Sequence, residues 1–260
     1  MRIFLLMALA ALPVLAQNVQ YHGGPVIPGA RVFNIWYGKV TEANKVSTRS
    51  LVTGLNSSPY MTGLAGYTDT TGRSISNTSA LLGEFQDNYS EGLVFDGAGV
   101  VRVINKAIVT AGWPCDGSAV YALVVAVGVS ASYGGFHNGV PCKGVGPKIA
   151  YTVSPEGNSY IYSHELVEAL SDPRTDMANV GSWFRDSDEL EIADICQSSA
   201  SPSSTWILST GAFVLANYVQ ASGGCTSGGT TGGGGGGGVK PPKPTCPPGT
   251  KPVGNSGKCR

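Results

Sequence analysis

The chain has 260 residues, 42% hydrophobic and only 13% charged, with 17 Lys+Arg against 17 Asp+Glu. That length is enough to bury a sizeable core, and the hydrophobic share excludes a chain disordered throughout. The even charge balance leaves no basic footprint, so no nucleic-acid partner is expected.

Residues 1–16 read as a signal peptide. Arg2 supplies the positive start, Ile3 to Leu15 the apolar stretch and Val14-Leu15-Ala16 a small-residue cleavage site. The stretch is short for a bilayer span and no basic stop-transfer flank follows, so no transmembrane anchor is expected after cleavage. The expected location is secreted and extracellular. Residues 17–226 read as one globular domain. Within it Arg31 to Tyr37 predicts a strand, and Val46 to Leu55 and Gly99 to Ala111 carry helix-compatible spacing. Ala119 to Val129 is a continuous apolar run rich in β-branched residues, suited to a central buried strand. Lys148 to Val153 and Phe213 to Val219 predict two further strands. Strands alternating with helices predict a mixed α/β (α+β) domain, a central mixed sheet flanked by helices. Residues 227–244 hold seven consecutive glycines, Gly232 to Gly238, followed by VKPPKP, the composition of a linker. Residues 245–260 form a short tail with Cys246 and Cys259, expected to be disordered apart from a local clip.

The six cysteines suit an oxidising compartment and allow up to three disulfides. None forms a C-x-x-C pair, which argues against a thiolate zinc site. The linker isolates Cys246 and Cys259, so these two are expected to pair, a restraint of roughly 3 kcal/mol in the chain-entropy model. Cys115, Cys142, Cys196 and Cys225 allow three pairings that sequence does not decide between. Asn56, Asn77 and Asn88 each open an N-x-S/T glycosylation tripeptide, the first followed by Pro59.

The stretch Ser163 to Pro173, SHELVEALSDP, opens like the His-Glu-x-x helix of a zinc protease and then places Glu168 where a second histidine would stand. Ser159 is the expected N-cap and Pro173 the expected stop. At about 100° per residue, Tyr160, Tyr162, Leu166, Val167, Ala169 and Leu170 cover one side. Ile161, His164, Glu165, Glu168, Ser171 and Asp172 share the other, where His164 and Glu168 meet one turn apart. The plain alternative is a solvated polar face with a simple i,i+4 pair. Against it, residues 164–194 hold nine of the 17 acidic residues, offset only by Arg174 and Arg185. Such a cluster repels itself unless water or a cation screens it.

Zinc accepts imidazole and carboxylate ligands and, in catalytic sites, keeps a position open for water. His164 and Glu168 would supply two ligands, Glu191 or Asp194 the third, and Glu165 the general base. His137, in the Gly-rich stretch YGGFHNG, is a further candidate from upstream and is expected in a turn between strands. A carboxylate-rich set also suits calcium or manganese, so another divalent cation is an alternative to zinc. The DSDELE run lacks the glycine and spacing of an EF-hand loop. His22 is read as a turn or surface residue. There is no GxSxG elbow, Walker loop or GxGxxG motif.

Several blocks occur in a telling order: YHGGPVIPGARVFNIWYGKV, then AVYALVVAVGVSASYGGFHNG, then SHELVEALSDP with Ser182-Trp183-Phe184 and EIADICQ, then ANYVQ. From about Tyr21 to Gln220 this order resembles the Exordium-like, or phosphate-induced, secreted proteins of plants. The resemblance implies a secreted, cell-wall or apoplastic protein linked to growth, with His164, Glu165, Glu168, Glu191, Asp194 and Cys196 in one constellation. Two departures stand out. Gly135 precedes Phe136-His137 where that family has a Cys-Gly pair, and the linker and Cys246–Cys259 tail lie outside the resemblance.

Two functions are therefore expected in competition. One is a secreted metal-dependent hydrolase, related to zinc peptidases and acting on an extracellular peptide. The other is a non-enzymatic wall or matrix protein whose metal or acidic site is structural. A closed ligand shell favours the second and an open coordination position facing solvent the first.

Overall fold

The structure, a computed structural model, describes residues 19–131, 134–174, 181–199 and 201–228, with the backbone of strand residues 252–253 and 258–259. The expected signal peptide (residues 1–16), most of the expected linker and the Cys246 and Cys259 side chains, with their expected pairing, lie outside the described residues. In chain order the first half runs β1 (Gln20–Tyr21), β2 (Ala30–Tyr37), α1 (Glu42–Leu55), α2 (Pro59–Thr62), β3 (Ser79–Asp87), β4 (Val94–Phe95), α3 (Gly97–Ala111), β5 (Val120–Val125) and β6 (Ser130–Ala131). Then come β7 (Phe136–Pro141), a 3-10 turn (Cys142–Gly144), β8 (Lys148–Pro155), α4 (Ser159–Ser171), β9 (Trp183–Phe184), α5 (Ile192–Gln197), β10 (Ser203–Leu208) and β11 (Gly211–Ala216). β12 (Pro252–Val253) and β13 (Lys258–Cys259) pair antiparallel in the tail.

The centre is a five-stranded mixed sheet in the order β3-β2-β5-β8-β7. Its first four strands run parallel and β7 returns antiparallel along the edge of β8. Because β2 and β5 are buried on both faces, their sequences read as unbroken apolar runs. Period-two alternation divides them between two cores. Val32, Trp36, Val120, Ala122 and Val124 pack with α1 and α4. Phe33, Ile35, Tyr121, Leu123 and Val153 pack on the opposite face with α3. The result is a three-layer helix–sheet–helix arrangement.

Each helix has a local reason to start. Thr41 caps α1 by accepting from the Asn44 N–H, and Asp96 caps α3 by accepting from Gly99 at 2.9 Å. Helix α3 buries Val100, Val103, Ile104, Ala107 and Ile108, a single stripe at helical spacing. Each of its Val and Ile side chains contributes about 1.5–3 kcal/mol on burial. The helix ends at Gly112, whose φ of 68° is the left-handed C-cap conformation that glycine adopts without strain.

Four sequence expectations shift. The apolar run from Ala119 ends as a strand at Val125, because the chain turns over Val127 and Gly128 (φ 84°). The late strand covers Gly211–Ala216, hairpinned to β10. Asn158, not Ser159, caps α4, its Oδ1 accepting from Ile161 N–H at 3.0 Å. His137 lies in edge strand β7, not in a turn, in register with Thr152. Among the described residues no helix is long and apolar enough to cross a membrane.

Two disulfides pin the periphery. Cys115–Cys142 ties the approach to β5 to the end of β7, and Cys196–Cys225 ties α5 to the segment after β11. Their sequence separations of 27 and 29 residues correspond to about 3.5 kcal/mol each in the chain-entropy model.

Candidate metal centre

Helix α4 follows central strand β8, so its start is fixed by the sheet. Its hydrophobic side, including Leu166, Val167 and Leu170, packs into the core shared with α1. Its polar side is not solvated. His164 is 6% exposed, Glu168 2% and Asp172 0%. That burial corrects the reading of this side as a surface face. Strand β7, helix α5 and the segment around Ser182 cover it. Alternation along β7 sends Phe136 and Val140 toward the α3 core, leaving His137 between them to face α4.

Two groups of ligand atoms result, and Glu168 belongs to both. In the outer group His164 Nε2 lies 3.3 Å from Glu168 Oε1 and 3.3 Å from Asp194 Oδ1. In the inner group His137, Glu168 and Glu191 converge, with His137 Nε2 3.3 Å from Glu191 Oε1 and Nδ1 3.7 Å from Glu168 Oε2. Within each group the ligand atoms lie within 4.8 Å of one another. Residue groups able to hold a metal ion are therefore present. The structure brings Asp194 to His164 and Glu191 to His137, the two alternatives that spacing along the chain left open.

The separations are informative. Charge-assisted N–H···O contacts close to about 2.7–2.9 Å, and this protein makes such pairs elsewhere, at 2.7 Å for Arg102–Glu91 and 2.9 Å for Lys106–Asp87. Every imidazole–carboxylate approach at the buried site is 3.3 Å or longer. Two ligand atoms about 2.0–2.1 Å from one tetrahedral ion are about 3.3–3.4 Å apart. In the outer group the two contacts of His164 Nε2, to Glu168 Oε1 and to Asp194 Oδ1, have that spacing.

Glu165 Oε2 lies 3.5 Å from His137 Nδ1. Gly135 leaves it that room, since a Cβ there would stand 2.8 Å from Glu165 Oε1 and 2.4 Å from Ile161 Cγ2. Gly135 is thus a close-approach position. Helix α5 is held against α4 by the Asp194 N–H donating to Glu168 Oε1 at 3.1 Å, and by the Cys196–Cys225 disulfide.

Electrostatics mark the same residues. Burial pulls His164 down, but hydrogen bonds to Asp194 and Glu168 outweigh it and push it up to about 10. Burial opposes charge on His137 as well, and Glu191 and Glu165 outweigh it and hold it well above the usual histidine value. Burial raises Glu168 to about 7 against the pull of His164. Asp172 rises to about 7, from burial and from the facing Glu191 carboxylate. Glu191 goes the other way, to about 2: burial is overcome by His137, Asp172 and Arg174. Free of metal, the centre therefore holds protons that an incoming cation displaces.

Asp172 and Arg174 were not among the site residues expected from sequence. Asp172 caps the end of α4, its Oδ1 accepting from Ser182 N–H at 2.7 Å. Arg174 reaches Glu191 at 3.3 Å and Asp172 at 3.5 Å. Their signal was present in the acid-rich run but could not be told from surface charge. Of the six buried side-chain polar atoms without a hydrogen-bond partner among the described residues, two are at this site, His164 Nδ1 and Asp172 Oδ2. His22 lies apart, stacked on Phe184 at 3.6 Å and 3.1 Å from Asp186. Asn56, Asn77 and Asn88 are all exposed.

No protein-family model matches the chain, and no curated protein or solved structure is detectably similar to it.

Proposed function

We propose that this protein is a secreted metal-dependent hydrolase that cleaves extracellular peptides, with zinc held by His164, Glu168 and Asp194. The convergence of these three side chains carries the reading, with His164 Nε2 3.3 Å from each carboxylate and the three ligand atoms within 4.8 Å of one another. One imidazole and two carboxylates are an accepted zinc donor set with a position left for water. Asp194, with its side chain 37% exposed, supplies the solvent-facing side that a catalytic site needs. The disulfides fit the oxidising compartment that secretion implies, and the ordered blocks resembling Exordium-like proteins support the same location.

Zinc would supply Lewis acidity to a water and to the scissile carbonyl. Glu165 takes the proton of the attacking water as its oxygen bonds the carbonyl carbon. It then delivers that proton to the departing amine nitrogen as the C–N bond breaks. Tyr160, whose ring lies 6.0 Å from that of His164, borders the approach to the site.

The test combines elemental analysis with a broad peptide library. The mature protein is expected to carry zinc and to cleave a subset of peptides, and Glu165→Gln to keep the metal and lose cleavage. A protein that carries metal but cuts no peptide favours the second reading, a wall- or matrix-associated protein with a structural ion. That reading has its own support in the inner group, where His137, Glu168 and Glu191 are all buried.

A further inference from the structure

We infer that the centre is dinuclear, with Glu168 bridging a solvent-facing ion in the outer group and a buried structural ion held by His137, Glu168 and Glu191. The inference rests on the proposed metal reading of the outer group and adds a second ion with a different task. The two carboxylate oxygens of Glu168 face different histidines, Oε1 lying 3.3 Å from His164 Nε2 and Oε2 3.7 Å from His137 Nδ1. Carboxylate-bridged pairs of ions sit about 3.5–4 Å apart, a separation two adjacent groups sharing one carboxylate allow.

Charge gives a second argument. Glu165, Glu168, Asp172, Glu191 and Asp194 gather around the two imidazoles, and Arg174 is the guanidinium among them. With both imidazoles neutral as ligands and all five carboxylates ionised, the one guanidinium leaves four negative charges, the charge that two divalent ions carry.

The two groups differ in access. All three inner residues are buried, whereas the outer group opens through Asp194. A closed shell suits a structural ion and an open one a reacting site. The inner ion would fasten edge strand β7 to helix α4 and to the residue that begins α5.

The experiment is a zinc titration of the metal-free mature protein, read as ions bound per chain after dialysis. Wild type is expected to bind two. Glu191→Gln and His137→Gln are each expected to bind one and to lower Tm in zinc. Asp194→Asn is expected to bind one and to keep the inner ion's stabilisation. One ion in wild type, lost in Asp194→Asn, overturns the dinuclear inference and leaves the proposed outer site standing. No ion at all overturns both. Should the variants not fold, wild type loaded stepwise with Co2+ decides the matter. Coupling through a bridge makes the second equivalent quench the electron paramagnetic resonance signal of the first, and signals that simply add through two equivalents overturn the bridge.

Discussion

The backbone N–H of Asp194 donates to Glu168 Oε1 at 3.1 Å, joining α5 to α4 through a residue that also faces both histidines. One carboxylate thus builds the fold locally and completes the candidate centre. Glu168→Gln separates the two roles. A carbonyl oxygen at this position still accepts the N–H, so the metal-free protein is expected to lose no more than about 1 kcal/mol, the scale of one hydrogen bond. Zinc affinity is expected to fall at least a hundredfold, because the ionised ligand is gone. Calorimetric unfolding with and without zinc measures both, and an unchanged zinc-induced shift in Tm would count against the assignment.

The metal-free protein should lose stability as pH rises from 5 to 8. Glu168 and Asp172 are raised to about 7 when folded, against about 4 in an unfolded chain. Their contribution is complete below the unfolded value and disappears as pH climbs through 7. His164, raised to about 10, acts in the same direction above its unfolded value of about 6.5. Glu191, lowered to about 2, matters only in acid, where its contribution is lost as pH falls toward that value. Each 1 kcal/mol lost lowers Tm by about 2–4 °C in a domain of this size. Zinc should flatten the trend by replacing the protons. A Tm in chelator that rises from pH 5 to 8 would contradict the burial of these groups.

Gly135→Ala tests the packing over Glu165. The added Cβ meets Ile161 Cγ2 at 2.4 Å and Glu165 Oε1 at 2.8 Å, so strand or helix must shift at a cost of about 1–3 kcal/mol. Thermal unfolding should show the loss, and peptide cleavage should fall further than stability alone explains. A variant with wild-type Tm would mean that β7 does not lie this close to α4.

The two disulfides should behave differently. Replacing Cys196 and Cys225 by alanine frees α5, which carries Asp194, and is expected to cost about 2–4 kcal/mol and to weaken zinc binding. Replacing Cys115 and Cys142 should cost a similar amount and leave zinc affinity at the outer group within about twofold, since neither cysteine lies on α4 or α5, the helices that carry that group. Equal effects on zinc affinity from the two pairs would refute the positioning role of Cys196–Cys225.

Much of the frame was legible in the sequence because its signals are local. The apolar runs at β2, β5 and β8 are read directly, as is the single stripe of α3. Strand β3 was not, because one of its faces is half-exposed and SALLGEFQD alternates too weakly to stand out. Strand β7 was hidden by Gly134, Gly135, Gly139 and Pro141, which read as a turn. At the site, the pairing of His164 with Glu168 follows from one helical turn. The burial of that helix side was not legible, since β7 and α5 reach it from distant parts of the chain. The same reason kept the choice between Glu191 and Asp194, and the order of the core cysteines, out of reach.

The account depends most on a metal bound by His164, Glu168 and Asp194. Its most direct test is the zinc content of dialysed mature protein, wild type beside His164→Ala. The proposal predicts bound zinc in wild type and one ion fewer per chain in the variant. No zinc in wild type, or the same content in both proteins, would contradict it.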